Sequence, residues 1–142
     1  MPIRSSHLGG ADDVTTEFAT VRGVVRLDLL EQVARGAVSA TVDAELLQEI
    51  LHRYRAIGRW GDGRLVFDLA QQLCPSVVPV TSRVVDVARR LLDEDSALLA
   101  RDALHAAVVI TEGFEAICSY DRDFDRVSRI VRKTPDQLLT LP

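Results

Sequence analysis

The stretch "LLARDALHAAVVITEG", residues 98 to 113, most narrows what this chain can become. Taken as a helix, it spreads Ala103, Leu104, Ala106, Ala107, Val108, Val109 and Ile110 around nearly its whole circumference and leaves hardly any polar face. A helix of that kind has to be buried on almost every side, so other elements must pack around it. Gly113 ends it, and "FEAICSY" (114 to 120) follows as a short apolar strand.

The rest of the chain alternates in the same way. Val14, Phe18, Val21, Val25, Leu29, Leu30 and Val33 recur at three- and four-residue steps, which predicts a helix from about Asp13 to Ala34 that stops at Gly36. "AVSATV" (37 to 42) is β-branched and bounded by Gly36 and Asp43, hence a strand. "DAELLQEILHRYRAIG" then has an acidic first turn, an apolar stripe of Leu46, Leu47, Ile50, Leu51 and Tyr54, and Gly58 as its stop. A third helix is expected from Gly63 to Leu73, broken by Cys74-Pro75. "SVVPVT" follows as a strand whose Pro79 fits an edge or irregular position. Ser82 is placed to cap a helix from Arg83 to Leu92, and "RIVRKT" supplies a last strand before the tail "PDQLLTLP". Strands alternating with helices imply an α/β fold, with parallel pairing, right-handed crossovers and helices on both faces of a central sheet, which makes three layers. The 142 residues fit one domain with one core.

Composition excludes several function classes. Hydrophobic residues make up 47% and charged residues 27%, the balance of a globular chain with an aliphatic core. The net charge of −4 offers no bulk attraction for nucleic acid, so such binding would need bound cations or a local basic patch. Cys74 and Cys118 form no CxxC pattern and read as small buried residues of a reducing compartment. His7, His52 and His105 show no zinc-ligand spacing. No apolar run is long enough to span a membrane and "MPIRSSHLGG" lacks a signal-peptide core, which points to the cytoplasm.

Acidic residues gather where a parallel sheet would present a ligand site, beyond the carboxyl ends of the strands. In "CSYDRDFDRV" (118 to 127), Asp121 is the first charged residue after an apolar strand, with Asp123 and Asp125 at alternate positions behind it. Asp102 opens the apolar helix, either as a first-turn charge favoured by the helix dipole or as a carboxylate aimed at the same end of the sheet. Glu49 lies among Leu46, Leu47, Ile50 and Leu51, where an uncompensated carboxylate is costly. Glu45, one turn earlier, is its rival and is explained by the dipole alone. Three segments could thus deliver carboxylate oxygens to one place, and their mutual repulsion calls for protons or a divalent cation. An all-oxygen donor set suits Mg²⁺ or Mn²⁺.

"ELLQEILHRY", "ARDALHAAVV" and "AICSYDRDFDRV", in this order and spacing, resemble the PIN domain, and within it the VapC-like toxins of bacterial toxin–antitoxin pairs. The resemblance covers roughly residues 13 to 134. It implies a Mg²⁺- or Mn²⁺-dependent endoribonuclease acting on RNA, a homodimer, and inhibition by a cognate antitoxin. By position, Glu49 matches the family's helix glutamate, Asp102 the aspartate of its "RDA" helix start and Asp121 the aspartate after its last core strand. Asp123 resembles an accessory acid of the same loop and Ser119 the supporting hydroxyl residue. Asp125 matches no role and reads as solvated.

The N-terminus departs from the family pattern, in which an apolar first strand ends in an aspartate. "MPIRSSHLGGADD" places Ser5-Ser6-His7-Leu8, or Leu8-Gly9-Gly10, where that region should lie. Asp12 and Asp13 follow no apolar strand and read as helix caps. Residues 1 to 12 are therefore an atypical N-terminus, with the first strand altered or missing and the chemistry expected to be weakened. The other readings are a PIN-like dimerisation and antitoxin-binding module without catalysis, or a different acidic α/β hydrolase such as a phosphatase.

Overall fold

The computed structural model describes residues 2–3, 27–36 and 39–139. The expected helix over 13–26, both alignments of residues 5–10, and Asp12 and Asp13 lie outside them. In chain order the elements are β1 (Pro2–Ile3), α1 (Leu27–Ala34), β2 (Val42–Asp43), α2 (Ala44–Ala56), α3 (Trp60–Leu73), β3 (Val77–Val78), α4 (Ser82–Glu94), α5 (Ala100–Glu112), β4 (Ala116–Cys118), a 3-10 turn (Arg122–Arg126), β5 (Arg132–Lys133) and α6 (Pro135–Leu139).

The apolar helix forms as its composition requires. In α5, Ala103 and Ala106 to Val108 are fully buried, and Gly113 closes the helix in a left-handed conformation with φ 69°. Against it packs α4, which turns Val84, Ala88 and Leu91 inward at helical spacing and sets Arg90–Asp86 and Arg89–Asp93 pairs on its outer face. Thr81, not Ser82, caps α4, its hydroxyl accepting the Val84 N–H at 3.3 Å. Either hydroxyl residue satisfies the capping preference, and the extended backbone at Thr81 decides between them.

Strand β4 shows why helices lie on both faces. Its side chains alternate, and all three are buried. Ile117 enters a cluster with Val84, Leu91, Val108 and Phe124, built mainly by α4 and α5. Ala116 and Cys118 enter a second cluster with Val33 of α1, Val42 of β2, Cys74 and Leu138 of α6. Neither cysteine is in a disulfide and both are buried, as expected. The tail "PDQLL" is the helix α6, with Pro135 at its first position, where a missing N–H costs nothing.

Two strand pairs are parallel, β2 with β3 and β4 with β5. The strands are shorter than their apolar runs, and "AVSATV" contributes only Val42 to β2. Strand β1 departs from a wholly parallel sheet: Pro2 pairs with Ile117 and Ile3 with Ala116 in antiparallel register. Among the described residues no helix is long and apolar enough to cross a membrane.

A candidate metal-binding carboxylate site

The loop after β4 is folded by short side-chain-to-backbone hydrogen bonds. The Ser119 hydroxyl, almost wholly buried, accepts the Asp121 N–H at 3.0 Å. Asp121 in turn caps the 3-10 turn, its Oδ1 accepting the Asp123 N–H at 3.0 Å. Asp and Ser favour such local bonds over regular structure, which is why this sequence turns here and does not extend β4. Buried Phe124 then fastens the turn to the α4–α5 core.

Asp102 arrives from the first turn of α5, 8% exposed. Leu99 is the cap residue and provides no side-chain hydrogen bond, so Asp102 is not the cap of this helix, although the dipole favours a carboxylate there. Asp102, Asp121 and Asp123 each offer a carboxylate oxygen, and these oxygens all lie within 4.8 Å of one another. An exclusively carboxylate set at that spacing fits a hard divalent cation such as Mg²⁺ or Mn²⁺ and fits zinc poorly.

Glu49, on α2, is not one of these three and meets the helix that carries Asp102. Its Oε1 lies 3.3 Å from the Arg101 guanidinium and 3.7 Å from His105 Nε2, a contact longer than a hydrogen bond. Burial pushes the Glu49 carboxyl up, but His105 and Arg101 outweigh it and hold the group below the ordinary carboxylate value. Glu45 goes the other way: burial raises it, and the Glu49 and Asp43 charges add to that against the pull of His105. The geometry thus brings together Asp102, Asp121 and Asp123, with the Ser119 hydroxyl bonded within the loop, and leaves Glu49 outside that group, against Arg101 and His105 of the helix that carries Asp102.

Two residues at this place escape a sequence reading. Asp43, with no solvent exposure, lies at the end of β2, caps α2 by accepting the Leu46 N–H at 2.9 Å, and meets His105 Nδ1 at 2.7 Å. Burial alone would push the His105 imidazolium down, but Asp43 beside it prevails and raises it to about 9. Burial likewise opposes the Asp43 carboxylate, and His105 holds it below its usual range. The available signal was His105 itself, a titratable residue within the otherwise apolar run Ala103 to Ile110. Asp125 also departs from expectation, since it is not simply solvated: Arg132 grips both its oxygens at 2.8 and 2.9 Å and donates to the Ser119 carbonyl at 3.1 Å.

The family model of the PIN domain matches residues 19–130. A VapC ribonuclease of Mycobacterium bovis is 39% identical over 104 residues, covering 73% of this chain and 79% of the relative. Ribonuclease VapC13 of Mycobacterium tuberculosis matches with the same identity and coverage. No solved structure gives a significant match.

Proposed function

The chain belongs to the PIN-domain family, in the company of its VapC members, and from that premise we propose that it is a Mg²⁺- or Mn²⁺-dependent endoribonuclease, a toxin of the VapC type folded as one domain. The observation that carries this reading is the convergence of Asp102, Asp121 and Asp123 from two separate segments. Those three residues would hold the metal, with Glu49 as a fourth carboxylate from α2 and Ser119 fixing the Asp121 loop. A divalent ion in such a site lowers the pKa of water and stabilises the leaving oxygen in phosphodiester hydrolysis. The residues themselves set position. Asp121 is fixed by its two hydrogen bonds in the loop, and Asp102 is fixed by a helix buried almost all round. A chain of net charge −4 repels RNA in bulk, so cations bound at this acidic site also serve substrate approach. Arg101, whose side chain is 53% exposed beside Glu49, is a cation placed to meet a phosphate.

Partners follow the same reading. Leu65 is 69% exposed and Leu69 follows one turn later on α3, while Leu51 and Ile57 of α2 are exposed as well. Such surface suits a cognate antitoxin segment or a second copy of the chain. A cytoplasmic location, where RNA is at hand, belongs to the same reading. A second reading, a PIN-like interaction module without catalysis, is favoured by one observation, the antiparallel β1, whose sequence brings no carboxylate to the site.

Cleavage of a labelled single-stranded RNA with and without Mn²⁺ decides between them. The parent is expected to cut only with metal, and both Asp121→Asn and Asp102→Asn to remove the cutting. Metal-dependent cleavage that survives either substitution would overturn the assignment of the site, and absence of any cleavage together with intact antitoxin binding would favour the interaction module.

A further inference from the structure

His105 touches three parts of the neighbourhood at once. Its Nδ1 is hydrogen-bonded to Asp43 Oδ2 at 2.7 Å, its Nε2 faces Glu49 Oε1 at 3.7 Å, and its ring meets Phe124 edge-on with centroids 6.4 Å apart. Asp43 is itself immobile, because its other oxygen caps α2 through the Leu46 N–H. The Nδ1–H bond to Asp43 fixes the rotation of the ring. Nε2, buried and without a hydrogen-bond partner, is therefore held facing the Glu49 carboxylate and has no freedom to turn elsewhere. Phe124 sits between Asp123 and Asp125 in sequence, so the same ring also bears on the turn that carries two of the clustered aspartates.

We infer that Asp43 and His105 form a positioning pair for the carboxylate site: Asp43 sets the imidazole, and the imidazole sets Glu49 against α5, the helix that carries Asp102. This rests on the metal-site reading given above and deepens it. Neither residue touches substrate; both act through Glu49. The pair links the start of α2 to the middle of α5 across the site, so the fourth carboxylate keeps its place relative to Asp102, three residues before His105 on the same helix. Partners of this kind behind metal-binding side chains typically change metal affinity or activity about tenfold or more when removed.

The test compares the parent with the paired variant Asp43→Asn/His105→Gln, in which an amide pair still spans the gap and the asparagine carbonyl can still accept the Leu46 N–H. Circular dichroism and melting establish that the variant is folded. Mn²⁺ affinity, read from the electron paramagnetic resonance of free Mn²⁺, and kcat and KM for RNA are then measured in both, with and without Glu49→Gln. If the variant does not fold, Asp43→Ser/His105→Leu, which leaves no buried charge and keeps a hydroxyl to cap α2, serves in its place. The expected result is Mn²⁺ affinity and kcat each lower by about tenfold with KM little changed, and no further loss when Glu49→Gln is already present. Unchanged Mn²⁺ affinity and kcat would overturn the inference, and so would losses that simply multiply with those of Glu49→Gln, which is the behaviour of a structural pair. Failure of the parent to bind Mn²⁺ in a manner sensitive to Asp102→Asn would instead bring down the metal-site reading, and this inference with it.

Discussion

Asp43 and His105 are 62 residues apart in the chain and 2.7 Å apart in space, with neither side chain more than 3% exposed. Breaking one half of such a buried pair leaves the other charge uncompensated, which commonly costs more than the pair itself contributes. Replacement of both members is therefore the informative change.

The pair makes stability depend on pH in a defined direction. His105 is raised from 6.5 to about 9 in the folded protein, so its contribution is fully present below about pH 6.5 and is lost as pH rises through about 9. Asp43, lowered from 3.8, contributes above that value and loses its contribution only in acid. In EDTA the urea midpoint of the parent is expected to fall between neutral pH and about pH 9, whereas Asp43→Asn/His105→Gln shows a flatter profile over the same range. A parent midpoint that climbs with pH there would contradict the assignment.

Crowded carboxylates predict an unusual response to mutation. Asp102→Asn removes one of three charges whose oxygens lie within 4.8 Å, so in EDTA the protein should be as stable as the parent or more so. Millimolar Mn²⁺ should raise the melting temperature of the parent by binding the native state, and should do so less in the variant. A loss of about 1 kcal/mol or more in EDTA, the usual size of a lost cap, would assign Asp102 a structural role instead.

Arg132 closes the loop from outside. Its two donors hold Asp125 and a third bond holds the Ser119 carbonyl, so the segment carrying Asp121 and Asp123 is tied to β5 at both ends. Asp125 is 53% exposed, and pairs in such settings contribute at most about 1 kcal/mol to stability. Arg132→Lys keeps the charge and loses the fork geometry. The expected outcome is a small change in melting temperature together with a several-fold weaker Mn²⁺ affinity. Equal Mn²⁺ affinity in the two proteins would show that the loop holds its shape without the clamp.

What was legible in the sequence followed from local rules. The burial of α5, the stops at Gly58 and Gly113 and the two-faced burial of β4 all follow from periodicity and from the chemistry of Gly. The PIN resemblance named Glu49, Asp102, Asp121 and Asp123 as metal-site candidates; the oxygens of the three aspartates gather within 4.8 Å, and Glu49 is not in that group. What was not legible depends on contacts between distant segments. Asp43 reads as an ordinary helix start and His105 as an isolated histidine, and nothing local says that one meets the other. Asp125 looked solvated because Arg132 lies seven residues away beyond a turn. The helix α6 was hidden in a tail too short for periodicity, and its buried Leu138 owes its place to Val33, Val42 and β4.

The direction of β1 bears on how fast the chain can cut RNA. A strand antiparallel to β4 leads away from the end of β4 that feeds Ser119 and Asp121, since Pro2 pairs with Ile117 and Ile3 with Ala116, one residue further from the site. β1 itself, Pro2–Ile3, brings no carboxylate to that end. Among the described residues, the carboxylates gathered to hold the metal are Asp102, Asp121 and Asp123. Misplacement of reacting groups by about 1 Å can cost roughly a hundredfold in rate, while binding is affected less. The expected outcome is a protein that binds Mn²⁺ and an antitoxin segment but cuts single-stranded RNA slowly, with Asp121→Asn abolishing the residual activity. Vigorous cleavage by the parent that Asp121→Asn and Asp102→Asn both eliminate would show that these carboxylates suffice.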